Sequence, residues 1–248
     1  MPTWKLVLEY DGTDFAGWQV QPRERTVQGE LKRALEVVLR EEVRVTGAGR
    51  TDAGVHALGQ VASVTCRGDV VAALRSVNAV LAEDVVARSA SAAPEGFDAR
   101  RSALRRHYRY VVHRGPTALQ RRFCLALDRL PDPARMNDAA SRLLGRRDFM
   151  SFASGLEPGD GTECIVERAE VRERGDFLDF EVTANRFLRK MVRTVMGTLL
   201  EVGWGQRPPE WIDDVVAARD RRAAGTVVPP TGLFLVAVDY PDIGPDGR

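Results

Sequence analysis

The segment GAGRTDAGVH, from Gly47 to His56, places a cation, a carboxylate and an imidazole among three glycines. Glycine allows the backbone to approach a ligand closely, and Arg50 favours the ionised form of the nearby Asp52. An ionised and oriented carboxylate can act as a nucleophile. The same residue types also form an Asx turn, in which the carboxylate only binds amides of its own loop. The segment does not match a dinucleotide-binding fingerprint, because its glycine spacing is too long and no helix pattern follows.

Basic residues form two windows without acidic residues, and nearly all of them are arginines. The lysines of the chain are Lys5, Lys32 and Lys190. The window between Asp98 and Asp128 contains Arg100, Arg101, Arg105, Arg106, Arg109, Arg114, Arg121 and Arg122, and the window between Glu181 and Glu201 contains Arg186, Arg189, Lys190 and Arg193. Guanidinium groups bind phosphates, and tyrosine rings stack on unpaired bases. The windows therefore indicate a nucleic-acid backbone binder, with a solvated charged surface as the alternative.

The elements that must position these residues alternate between strand and helix patterns. The first half contains strands at Trp4–Tyr10, Val43–Val45, Gln60–Cys66 and Val85–Ser91, and helices at Val27–Val38, capped by Thr26, and Asp69–Leu81. The order of these elements is βαββαβ. This order is typical of the ferredoxin-like, split βαβ fold.

The second half repeats the pattern. It contains strands at Leu104–His113, Ile165–Glu173, Phe177–Ala184 and Leu233–Tyr240, and helices from Asp132-Pro133, at Phe187–Val202 and at Pro209–Asp220. On the helix from Phe187, we expect Arg186, Arg189 and Arg193 to form one polar stripe. The repetition predicts an α+β protein of two pseudo-symmetric ferredoxin-like halves, residues 1–103 and 104–248, with antiparallel or mixed sheets flanking a central cleft.

The composition excludes several classes of protein. With 44% apolar and 29% charged residues, the chain is too apolar for a disordered protein. No window approaches the roughly 18 apolar residues of a membrane helix, and the N-terminus begins with a strand pattern rather than a signal peptide. Cys66, Cys124 and Cys164 are far apart and form no CxxC pair, which argues against disulfides and a structural zinc site. We therefore expect a soluble, cytoplasmic protein.

Several segments resemble those of one family. GRTDAGVHA, from Gly49 to Ala57, is similar to the signature of the TruA family of tRNA pseudouridine synthases. The resemblance extends to EYDGTDFAGWQ, VQGELKRAL, FDARRSA, RRHYRY, NRFLRKMVRTVMG and GLFLVAVDYP, in this order along the chain. It therefore covers nearly the whole chain.

The resemblance implies a role for each residue of the predicted site. Asp52 would be the catalytic aspartate, which attacks ribose C1′ or uracil C6 so that the glycosidic bond breaks and the base reattaches through C5. Arg193 would pair with Asp52, and Tyr108 would stack on the target base. From the pattern alone, Tyr108 and Tyr110 are core residues on one face of a strand.

The remaining polar residues are expected to bind the substrate or to support the loops. The substrate-binding set comprises Arg50, Arg106, Arg186, Arg189 and Lys190. His56 is interpreted as a hydrogen-bonding anchor of its loop rather than an acid–base group, and His107 is assigned no chemistry.

The expected partner is tRNA, and no metal or cofactor is expected. The isomerisation is redox-neutral, and the sequence contains no HExxH motif, clustered His/Cys ligands or P-loop. A stacked uridine must be flipped into a pocket, while the arginines would bind the A-form backbone by its shape. The resemblance implies action at positions 38, 39 and 40 of the tRNA anticodon arm by a homodimer.

Two other classes of function remain possible at this point. A non-catalytic module of two RRM-like halves would also bind RNA, although the RNP aromatic pattern is absent and such a module has no use for the Arg50-Thr51-Asp52 segment. A metal-dependent hydrolase would need a second acidic ligand near Asp52, and the acid-poor windows offer none.

Overall fold

The computed structural model describes residues 1–156 and 159–241 and separates into two units along the chain. Unit 1 comprises Met1–Leu104 and the segment from Phe234 onward, and unit 2 comprises Arg105–Leu233. The predicted boundary after residue 103 lies one residue before this one. The last strand was predicted in the second half, whereas most of it lies in unit 1.

Unit 1 contains the βαββαβ order that the sequence predicts. Its elements are β1 (Thr3–Tyr10), α1 (Val27–Leu39), β2 (Arg44–Gly47), β3 (His56–Thr65), α2 (Val70–Val80) and β4 (Val85–Ala92). β1 lies between β3 and β4 and is antiparallel to both, and β2 is antiparallel to β3. The resulting order β4-β1-β3-β2 is that of a split βαβ fold.

Local signals explain where the unit 1 elements begin. The side chain of Thr26 accepts a hydrogen bond from the Gly29 amide at 3.3 Å, so it caps α1 as predicted. Asp69 caps α2 in the same way. In β1 the buried residues Leu6, Leu8 and Tyr10 alternate with more exposed ones, so one face of the strand packs into the core.

Unit 2 contains a second α+β arrangement. Its elements are β5 (Arg105–Arg114), β6 (Leu125–Leu127), α3 (Pro133–Ser141), β7 (Gly145–Asp148), β8 (Glu163–Arg174), β9 (Phe177–Ala184), α4 (Met191–Gly203) and α5 (Trp211–Ala218). The strands β5-β9-β8-β7 form an antiparallel sheet, and β6 adds to β5 in parallel. The predicted β8–β9 hairpin and the α+β class are confirmed, whereas the short strands β6 and β7 were not predicted.

The start of α4 differs from the prediction. The helix begins at Met191 rather than Phe187, because Lys190 adopts a left-handed conformation with φ of 62° that interrupts the helical backbone. Arg186 and Arg189 therefore lie in the loop before the helix. The predicted polar stripe of Arg186, Arg189 and Arg193 on one helix is wrong.

The last strand, β10 (Leu233–Asp239), begins at the final residue of unit 2 and continues in unit 1. Within unit 1 it pairs in parallel with β3 at His56 and Ala57. The Leu104 amide donates to the Asp239 carbonyl at 2.8 Å, and the Tyr240 hydroxyl donates to the Ala99 carbonyl at 2.7 Å. These bonds hold β10 and Tyr240 on unit 1.

The three cysteines, Cys66, Cys124 and Cys164, are free and buried. Burial raises the pKa of each thiol, and that of Cys164 to about 11. In the described part of the chain, no helix is both long and apolar enough to cross a membrane.

Candidate active site

The loop that carries Asp52 is fixed through its neighbour Thr51, which is buried. The Thr51 hydroxyl lies 2.8 Å from the Tyr10 hydroxyl at the end of β1, and the Thr51 carbonyl accepts the Trp18 amide at 3.0 Å. Gln60, fully buried on β3, donates to the Gly49 carbonyl at 2.9 Å and contacts the Tyr10 hydroxyl at 3.4 Å. A buried network of polar groups therefore holds the backbone immediately before Asp52.

Three glycines allow the segment after β1 to pack against this loop. A Cβ atom on Gly12 would lie 2.0 Å from the Val55 carbonyl oxygen, and one on Gly17 would lie 2.7 Å from the Thr51 carbonyl oxygen. A Cβ atom on Gly47 would lie 2.4 Å from the buried Trp18 ring. Because any side chain at these positions would collide with its neighbours, glycine is required for the close contact.

Asp52 itself begins a tight turn. The Val55 amide donates to the Asp52 carbonyl at 3.1 Å, and Gly54 has a φ of 76°, as the third position of a type II turn requires. Asp52 is partly exposed, whereas Thr51 before it and Val55 after it are buried. The arrangement presents one carboxylate at the surface of a loop that is anchored on both sides.

His56 follows this turn and is buried. Its Nδ1 atom accepts the Gly12 amide at 3.0 Å, and its ring stacks on Phe234 at 4.8 Å. The Asp11 carboxylate also approaches Nδ1, at 3.2 Å, but the same oxygen accepts two bonds from Thr13. The ring therefore links this turn to the segment after β1, which agrees with an anchoring role.

Tyr108 and Tyr110 are both buried on one face of β5. The Tyr108 ring packs edge-on against Phe187 at 4.9 Å, and the Tyr110 hydroxyl donates to the Pro229 carbonyl at 2.8 Å. Burial raises the pKa of Tyr110 above its ordinary value. The structure therefore agrees with the core interpretation of this strand face.

Arg193 lies in the first turn of α4 and is oriented by the segment before β10. Its Nε–H donates to the Val228 carbonyl at 2.8 Å, and the Val228 amide donates back to the Arg193 carbonyl at 3.3 Å. α4 and this segment lie in direct contact, since a Cβ atom on Gly197 would lie 1.7 Å from the Thr226 carbonyl oxygen. The guanidinium group is therefore held in one orientation.

The other predicted RNA-binding residues fall into two groups. Arg50, Arg186 and Arg189 are exposed and Lys190 is partly exposed, and within residues 1–156 and 159–241 the ion pairs do not include these four side chains. Arg106 instead donates to the Asn185 carbonyl at 2.8 Å, which links the start of β5 to the end of β9. His107 contacts the Thr183 hydroxyl at 2.9 Å.

Sequence reasoning missed the residues that support the Asp52 loop. Tyr10 was predicted as a strand residue and Gln60 as the first residue of a strand, without a role for either. A polar Gln within the otherwise apolar stretch Ala57–Ala62 of β3 was the available signal, because a buried amide requires hydrogen-bond partners.

A comparison with known protein families shows to which of them this chain belongs. A family model described as tRNA pseudouridine synthase matches residues 6–100 and 139–241, which is most of the chain. The chain belongs to the tRNA pseudouridine synthase family. The match includes the Asp52 loop and Arg193, and it confirms the predicted enzyme class: the chain is an isomerase that acts on tRNA.

Relatives of this tRNA pseudouridine synthase match over nearly their full length, and each is named tRNA pseudouridine synthase A. The protein of Agrobacterium fabrum is 39% identical over 255 residues, with 100% of this chain and 96% of the relative covered. That of Moorella thermoacetica is 42% identical, with 97% of this chain and 100% of the relative covered. Among solved structures, a Cbf5-Nop10-Gar1 complex matches 79% of this chain and 54% of the other chain at 12% identity and a TM-score of 0.35.

Proposed function

We propose that this tRNA pseudouridine synthase acts on uridines 38, 39 and 40 of the anticodon arm, with Asp52 as its nucleophile and without a cofactor. The placement of Asp52 supports its role as the nucleophile, because its partly exposed carboxylate directly follows the buried, hydrogen-bonded Thr51. A fixed backbone lets a carboxylate meet a substrate atom without first losing conformational freedom. The choice of positions 38–40 rests on the resemblance of the motifs to the TruA family.

The proposed reaction balances without an oxidant or reductant. The Asp52 carboxylate adds to ribose C1′ or to uracil C6, and the bond between N1 and C1′ breaks. The base turns, C5 bonds to C1′, and the carboxylate is released. The proton on C5 is lost to solvent and N1 gains one, so the product is an isomer of the substrate.

Tyr108 and Arg193 of unit 2 are proposed to serve the same reaction. The stacking of Tyr108 on the target base is proposed from the resemblance of RRHYRY to the TruA family. Arg193 offers an oriented positive charge for a carboxylate. Arg50, Arg186, Arg189 and Lys190 are proposed to bind the RNA backbone, because exposed or partly exposed cations that form no ion pair within the described residues can bind phosphates without breaking such a pair. Arg106, whose guanidinium already binds a backbone carbonyl, is proposed as a weaker contact.

Tritium release tests this proposal. An anticodon-arm RNA carrying tritium at uridine C5 is incubated with the wild type and with Asp52→Asn, both in EDTA. We expect the wild type to release tritium in proportion to the uridines present at positions 38–40, and Asp52→Asn to release at least ~10³-fold less while still binding the RNA.

Glu95→Gln is the matched control, because Glu95 is an exposed carboxylate of the same unit. It should release tritium at the wild-type rate. Tritium release by Asp52→Asn at the wild-type rate would refute Asp52 as the nucleophile. Loss of wild-type release in EDTA would refute the metal-free reaction. Release only from uridines outside positions 38–40 would refute the proposed positions.

We propose that the chain acts as a homodimer in the cytoplasm. Sedimentation of the purified chain, alone and with tRNA, tests the homodimer, and a monomeric mass under both conditions would refute it.

A further inference from the structure

The buried hydroxyl of Tyr10 has no role in the proposed reaction, yet it lies one residue away from the proposed nucleophile in the hydrogen-bond network. Tyr10 is 2% exposed and its hydroxyl lies 2.8 Å from that of Thr51. A hydroxyl in the interior is costly unless it is hydrogen-bonded, and phenylalanine would fill the same volume without this cost. Packing alone therefore does not explain why a tyrosine hydroxyl lies under the loop.

Gln60 adds a second polar group to the same place. Its side chain is 0% exposed, and its amide nitrogen reaches both the Gly49 carbonyl, at 2.9 Å, and the Tyr10 hydroxyl, at 3.4 Å. Its oxygen accepts the amide of Val61 at 3.2 Å. The two side chains thus hold the loop at Gly49 and at Thr51, on the approach to Asp52.

Burial favours the neutral form of the Tyr10 hydroxyl. It raises the pKa of Tyr10 to about 12, although the bonds from Thr51 and Gln60 act in the opposite direction. The hydroxyl therefore keeps its proton further into the alkaline range than an exposed tyrosine does.

We infer that Tyr10 and Gln60 are positioning residues for Asp52, acting through the Thr51 hydroxyl and the Gly49 carbonyl. The inference rests on the proposed function, in which Asp52 is the nucleophile. Loss of the bond between Tyr10 and Thr51 leaves the carboxylate chemically unchanged but allows the backbone before it to move. A displacement of a reacting group by about 1 Å can lower turnover by up to ~100-fold, and a loosened loop should lose about 10-fold.

The experiment compares kcat and KM for tritium release by Thr51→Val, Thr51→Ser and Tyr10→Phe. Thr51→Val keeps the shape of the side chain and removes the hydroxyl, whereas Thr51→Ser keeps the hydroxyl. We expect kcat to fall about 10-fold in Thr51→Val and Tyr10→Phe, with KM within about twofold of wild type, and Thr51→Ser to remain close to wild type. A purely structural role would lower the amount of folded enzyme and would not produce this separation per folded molecule.

The double variant Tyr10→Phe/Thr51→Val sharpens the test. Because both changes remove the same hydrogen bond, its kcat should be no lower than that of the worse single variant. Unchanged kcat in either single variant, or multiplied losses in the double variant, would overturn the inference. If Thr51→Val does not fold, Tyr10→Phe alone decides.

Asp52→Asn, measured in parallel, separates the two proposals. An active Asp52→Asn enzyme would refute the nucleophile itself. An inactive Asp52→Asn enzyme beside a fully active Tyr10→Phe enzyme would refute only the positioning role.

Discussion

The Asp52 loop of unit 1 and the Arg186–Lys190 segment of unit 2 hold their polar groups in opposite ways. The loop is fixed by buried partners, including Tyr10 and Gln60, and by glycines that permit backbone contact. The Arg186–Lys190 segment lies outside the helix, and its basic side chains are exposed or partly exposed. Bond-breaking chemistry requires a group in one place, whereas a phosphate backbone can be bound by cations that adjust to it. The contrast therefore matches the two tasks proposed for the regions.

Of the changes that test this contrast, a change at Arg193 is expected to have the largest effect. The Arg193 side chain is held by a hydrogen bond although it follows the exposed segment. Arg193→Lys keeps the positive charge but loses the Nε–H bond to the Val228 carbonyl. We expect turnover in tritium release to fall by ~10²-fold, with tRNA affinity nearly unchanged. Arg189→Lys is the matched control. Equal losses of turnover in the two variants would contradict the contrast between the held Arg193 and the exposed Arg189.

Close packing around the Asp52 loop predicts a loss of stability. Gly12→Ala places a Cβ atom 2.0 Å from the Val55 carbonyl oxygen. We expect the free energy of unfolding to fall by about 2–3 kcal/mol, measured by urea denaturation. Gly161→Ala is the control, because its Cβ atom would meet only the end of the Arg186 side chain, at 3.5 Å. A loss of the same size in Gly161→Ala would mean that the two regions are packed alike.

Alkaline pH tests the buried network. Since burial raises the pKa of Tyr10 to about 12, the unfolded chain loses this proton near pH 10 while the folded chain keeps it. The stability that the neutral Tyr10 hydroxyl contributes is therefore fully present below pH 10. It is lost as pH rises toward 12, and the loss is about 1 kcal/mol at pH 11. Tyr10→Phe should show a correspondingly shallower decline in urea denaturation. Parallel declines in the two proteins would show that Tyr10 ionises normally.

The smallest effect is expected in the exposed segment. Arg189→Ala should weaken tRNA binding about threefold and reduce the slope of log affinity against log salt by about one. Filter binding at several salt concentrations measures both quantities. Arg222→Ala is the control, because Arg222 is exposed but bound to Asp220 at 2.7 Å. An unchanged slope in Arg189→Ala would remove this residue from the RNA contact.

Periodicity predicted the elements whose burial repeats regularly. It found β1, α1, α2 and the β8–β9 hairpin because each buries one face along its length. It missed β6 and β7, which have three and four residues and are too short to show a period. The start of α4 depended on the backbone of Lys190, whose left-handed conformation leaves no trace in the hydrophobic pattern.

The candidate site was predictable only in part for a related reason. The Asp52 loop is a continuous segment and could be recognised as one. Its support is assembled by the sheet: Tyr10 and Gln60 are 50 positions apart, and Tyr10 and Thr51 are 41 apart. Sequence spacing contains no information about such contacts until the register of β1 and β3 is known.

The burial of all three cysteines makes this chain convenient to label. Thiolates react with maleimides, and burial both shields these thiols and raises their pKa. A cysteine introduced at Leu119, whose side chain is 87% exposed, would thus react first in the otherwise unmodified sequence. A single fluorophore can therefore be attached there without prior removal of the native cysteines.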